Sequence, residues 1–101
     1  MKYEVIVKSE AREDIKQAMA WYEEKSNGLG EEFVEVILDY ATYLSTNAHT
    51  HPKVNGEYRE LLVKKFPYVI VYRIVEDNLI LILGVIHTMK HPASRKRKTI
   101  E

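Results

Sequence analysis

Apolar and polar positions alternate over the first eight residues, with Tyr3, Val5 and Val7 on one side and Ile6 as the exception on the other. A period of two predicts a strand over Lys2 to Lys8. From Ser9 the period lengthens. Ala11, Ile15, Ala18, Met19 and Tyr22 are spaced as one apolar stripe of an α-helix. Ser9 suits the N-cap, and Glu10, Glu13 and Asp14 bring negative charge to the positive end of that helix. Asn27-Gly28-Leu29-Gly30 ends it, because glycine accepts backbone angles that a Cβ resists. Phe33, Val34, Ile37, Leu38, Ala41 and Leu44 form a second stripe and predict a second helix to about Thr46. So short a connection makes the two helices an antiparallel hairpin.

Residues 47–57 hold Asn47, Pro52, Asn55 and Gly56 and read as a loop. Strands are expected at Tyr58 to Lys65, Phe66 to Val75 and Leu79 to Thr88, with Pro67 near one turn and Glu76-Asp77-Asn78 at the next. Connections this short join antiparallel strands. The order is β-α-α-β-β-β, an α+β domain over residues 1–101 in which an antiparallel sheet carries the helical hairpin on one face. Both faces of the last two strands are apolar. Phe66, Tyr68, Ile70, Tyr72 and Ile74 alternate with Val69, Val71, Arg73 and Val75, and Leu79, Leu81, Leu83 and Val85 alternate with Ile80, Ile82 and Ile86. Strands of this kind need cover on both sides. A single hairpin supplies one, so a partner, a second copy or the C-terminal tail is expected on the other.

With 101 residues, 46% of them hydrophobic and 30% charged, the chain fits one ordinary globular domain. The absence of cysteine fits a reducing compartment and rules out a fold held by disulfides or thiolate-bound metal. Met1 to Val5 lack a signal-peptide core, and the longest apolar run, Leu79 to Ile86, is too short to span a bilayer, so the expected location is the cytoplasm. The formal net charge is zero, but it is unevenly spread. Residues 1–50 carry five Lys/Arg against ten Asp/Glu, and residues 51–101 carry ten against five. Such a dipole suits an acidic or nucleic-acid partner on its basic side.

Several landmarks stand in a telling order: Ala11, Asp14-Ile15, Ala18, Trp21-Tyr22-Glu23, Gly28-Leu29-Gly30, Phe33, Arg59, Phe66-Pro67-Tyr68, Tyr72, and His87 with Pro92. Together they resemble the ParE branch of the ParE/RelE toxins, the poison half of type II toxin–antitoxin pairs, also described as plasmid stabilisation proteins. The likeness runs from residue 3 to about residue 98. It implies a toxin that inhibits DNA gyrase by protein–protein binding and is neutralised by a cognate, ParD-like antitoxin laid along the sheet and hairpin grooves. Strand addition or helix-in-groove binding would serve that contact. Candidate partner- or target-binding residues are Trp21, Tyr22, Tyr68, Tyr72, Lys90, Arg95 and Arg97. Trp21 and Tyr22 also suit packing within the hairpin.

RelE-like relatives imply a second reading, a ribosome-dependent mRNA endonuclease. Metal-free RNA cleavage needs a base, an acid and cations for the phosphorane charge. His87 with Arg59 and Arg73 would be the catalytic candidates, and Lys64 and Lys90 add charge. RelE-like chains carry an Arg in the central strand where this chain has Val69, and that weighs against nuclease chemistry. ParE-like chains show His-x-x-Arg-x-Pro followed by an aromatic. Here Lys90 stands for the Arg, and Arg95 falls near the aromatic. A third reading is a non-toxic relic that only binds antitoxin. His49-x-His51 and His87-x-x-x-His91 lack further ligands, so neither a metal nor a cofactor is expected.

Overall fold

The computed structural model describes residues 3–76 and 78–90. Strand β1 (Glu4–Val7) leads into helix α1 (Ser9–Lys25) and helix α2 (Leu29–Asn47). A 3-10 turn (Ala48–Thr50) follows, then β2 (Lys53–Asn55), β3 (Tyr58–Leu62), β4 (Tyr68–Val75) and β5 (Leu79–His87). The sheet order is β1-β5-β4-β3-β2. This is the expected α+β arrangement, with two departures. The first lies at β1, which joins β5 in parallel with Glu4 opposite Leu79, so the sheet is mixed rather than wholly antiparallel. The helical hairpin carries the chain from β1 to β2 at the far edge of the sheet, and β3, β4 and β5 step back antiparallel until β5 lies beside β1. The second is β2, a short edge strand inside the segment expected to be loop, paired irregularly with β3.

Ser9 is the first helical residue rather than the cap. Lys8 holds the cap position with extended backbone angles, and no side chain caps α1. At the other end of the hairpin the local chemistry is explicit. Gly28 caps α2 with φ 86°, in the left-handed region that disfavours side chains. Glu23, reaching over from α1, accepts hydrogen bonds from the N–H groups of Gly28 (2.9 Å) and Gly30 (3.0 Å). A carboxylate at a helix N-terminus satisfies free donors and complements the positive end of the dipole. Gly30 packs so closely on α1 that a Cβ there would run into the Met19 carbonyl oxygen. Trp-Tyr-Glu and Gly-Leu-Gly are thus two halves of one clasp.

Tyr22, Phe33 and Phe66 form the aromatic centre of the core, with the partly buried Tyr68 against them. Ile37 and Leu44 from α2 meet Ile70, Tyr72, Ile80, Ile82 and Val85 from the sheet. Val85 breaks simple alternation with Ile80 and Ile82, and the register explains it. Val71 opposes Gly84 while Tyr72 opposes Ile82, which leaves Leu83 as an extra residue in β5. Such a bulge reverses the facing of everything beyond it. Val85 turns toward the helices and Ile86 toward the other face.

On that other face Val69, Val71 and Ile86 form a separate small cluster, each at most 5% exposed in the single chain. These three positions are buried within the single chain, and the C-terminal tail, one of the three covers expected for this face, lies outside the described residues. The bulge removes Val85 from the second face. Exposed apolar surface is found on both layers: Trp21 and Leu38 on the helices are each 53% exposed, and Leu62, opposite Val69 on that second face of the sheet, is 61% exposed. Met19, expected in the core stripe of α1, is also largely outside it.

Candidate functional site

Helical spacing places Asp14, Gln17, Ala18 and Trp21 on one side of α1, facing the last residues of β5. Between them lies an open cleft of about 300 Å³, completed by Tyr68, Val85, His87 and Lys90. Its floor, Ala18 and Val85, is apolar and buried. Val85 N–H donates to Asp14 Oδ2 (2.9 Å), which ties α1 to the strand just past the bulge. Sequence reading treated Asp14 as a charge near the start of a helix and missed this role. The signal was present in its spacing of three, four and seven residues from Gln17, Ala18 and Trp21.

His87 stands opposite Tyr68 in the β4–β5 ladder, and the two rings meet edge to face at 5.1 Å. Met89 N–H donates to His87 Nδ1 (3.0 Å), so that nitrogen is the acceptor. In the neutral ring the proton then resides on Nε2. Tyr68 in turn meets Tyr22 and Phe33. Burial, followed by the neighbouring Tyr22 and the Asp14 carboxylate, pushes the Tyr68 hydroxyl up to about 12. Burial also raises Tyr22. Both phenols therefore keep their protons at neutral pH. Trp21 forms the outer wall, edge-on to Tyr22 and with Lys25 Nζ 4.8 Å from the centre of its ring.

Other predicted site residues are elsewhere. Tyr72, a binding candidate from sequence, is wholly buried, and its hydroxyl donates to the Ala48 carbonyl (2.7 Å). Tyr22 is likewise a core residue. Arg59 lies opposite Tyr72, and its guanidinium bonds the His51 carbonyl at 2.5 Å. The structure does not bring His87, Arg59 and Arg73 together. Tyr72 is four residues along β4 from the Tyr68–His87 pair, roughly 13 Å at strand rise. Arg73 projects from the opposite face of β4 to Tyr72 and stacks on Tyr58 at 5.7 Å. Its Nε is buried with no hydrogen-bond partner among the described residues. Arg95 and Arg97 lie outside the described residues.

Residues 5–92 match the family model described as the ParE toxin of the type II toxin–antitoxin system, parDE. The chain belongs to the ParE toxin family. A solved structure, "Chromosomal ParDE TA system from P. aeruginosa", is similar in fold, with a TM-score of 0.72 at 19% identity. The match covers 85% of this chain and 96% of that one. Comparison with curated proteins yields no match. Within a ParE toxin, the landmarks that carried the resemblance divide into two groups. Glu23, Gly28 and Gly30 build the hairpin clasp, whereas Asp14, Trp21, Tyr68 and His87 converge on the cleft.

Proposed function

We propose that this chain is the toxin of a type II pair that inhibits DNA gyrase by protein–protein binding and is neutralised by a ParD-like antitoxin. Family membership supports the toxin role, and the neighbouring solved structure is described as a ParDE toxin–antitoxin system. One observation carries the choice of gyrase over messenger RNA: the three groups that a nuclease reading needs are dispersed. Arg59 holds the backbone at His51, Arg73 lies on the opposite face of its strand to Tyr72, and only His87 lines the cleft. General acid–base catalysis requires its participants within hydrogen-bond reach of one reacting group.

The half-exposed Trp21, with Lys25, His87 and Lys90 around it, has the makeup of a binding surface, in which an aromatic anchor lies among donors. No described helix is long and apolar enough to cross a membrane. We place the toxin in the cytoplasm, where gyrase works.

Expression without antitoxin tests the reading. It should arrest growth, induce the SOS response and trap gyrase on cleaved DNA, and purified toxin should inhibit supercoiling in vitro. Loss of transcripts with intact chromosomes would establish the endonuclease instead. Normal growth despite soluble, folded protein would leave only an antitoxin-binding module.

A further inference from the structure

The cleft between α1 and the end of β5 has an uneven hydrogen-bond inventory. Asp14, its one carboxylate, accepts from Val85 N–H. Gln17 spends its amide on Glu13 at 3.5 Å. Among the described residues, donors remain at the rim: His87 Nε2–H, fixed as a donor by the Met89 N–H on the other ring nitrogen, and the exposed ammonium of Lys90. An apolar floor and the Trp21 ring lie beside them. A volume of about 300 Å³ is at the low end for ligand pockets and suits one or two side chains rather than a folded element.

Charge elsewhere narrows the occupant. Helix α2 carries four Asp/Glu and no Lys or Arg, so an acidic segment is repelled along that side of the molecule and finds complementary charge at this end of β5. On the toxin reading above, we propose that the cleft anchors an acidic residue from an extended segment of the antitoxin. Its carboxylate meets His87 Nε2–H and Lys90 Nζ, and an apolar neighbour lies on Trp21 over the Ala18–Val85 floor. Charge-assisted hydrogen bonds of this kind contribute more than neutral ones.

Titration calorimetry of full-length toxin with the antitoxin encoded beside it tests the assignment. Lys90→Glu should weaken binding about tenfold or more and flatten its salt dependence. His87→Ala should lose about tenfold, whereas His87→Gln, whose amide keeps a donor near the Nε2 position, should stay within about threefold. A Glu→Lys or Asp→Lys change in the antitoxin should restore binding to Lys90→Glu. Circular dichroism and thermal melting confirm that each variant folds. Wild-type and variant toxins binding the antitoxin equally would overturn the proposal and leave the toxin reading intact. So would a loss confined to gyrase inhibition, because the cleft would then belong to the target. His87→Gln behaving like His87→Ala would overturn the donor role. Failure of the wild-type toxin to bind any encoded antitoxin would overturn both readings, and it is recognisable without the variants.

Discussion

Single side chains in this protein divide between those that hold the core and those that face outward, and two tyrosines show how the division is made. Tyr72 and Tyr68 alternate on one strand with identical chemistry, so spacing alone ranked them together as binding candidates. Depth separates them. Tyr72 is wholly buried and bonded to Ala48, whereas Tyr68 stands at the strand end and lines the cleft. Tyr72→Phe should therefore cost about 1 kcal/mol in chemical denaturation, because it leaves the Ala48 carbonyl without its donor. Burial raises both hydroxyls from 10.0 to about 12. Groups whose folded pKa is raised give stability that is complete below the unfolded value and lost as pH climbs through the folded one. Unfolding free energy should be insensitive to these tyrosines at neutral pH and fall between about pH 10 and 12, and Tyr72→Phe should make that fall shallower.

At the scale of elements, periodicity located both helices and the last three strands to within a few residues, because each buries one stripe or one face. It failed where a backbone irregularity changes the count. Nothing in Leu79-Ile80-Leu81-Ile82-Leu83-Gly84-Val85 announces an extra residue at Leu83, since every position is apolar or glycine. The bulge is set by the partner strand and by the core that Val85 fills. Glycine at position 30, by contrast, was legible as part of a turn, but its further role in bringing the helices together was not. Gly30→Ala should destabilise the protein by about 2 kcal/mol or more, because the obstacle is backbone and cannot swing away. Glu23→Ala, which frees the N–H groups of Gly28 and Gly30, should cost about 1 kcal/mol. Thermal melts of the two variants read both effects directly.

For the whole molecule, the fold class was legible and the pairing of its first strand was not. Alternation identifies a strand but says nothing about its neighbour, and here β1 pairs with β5, the last strand, rather than with the strand that follows the hairpin. The candidate site was legible in part. Trp21, Tyr68, His87 and Lys90 do share one cleft, while Arg59 was drawn into the catalytic reading by its charge although it latches the turn after α2. Arg59→Met should accordingly lower Tm by several degrees for each ~1 kcal/mol lost, and should leave gyrase inhibition per folded molecule unchanged. A supercoiling assay normalised to the folded fraction would detect any departure.

Residues 4–7 find their place only beside residues 79–82. During synthesis the opening strand has no ribbon to dock against until nearly the whole domain has left the ribosome, and pairings between such distant stretches are slow to form. A nascent copy therefore cannot close its sheet before residues 79–82 have emerged.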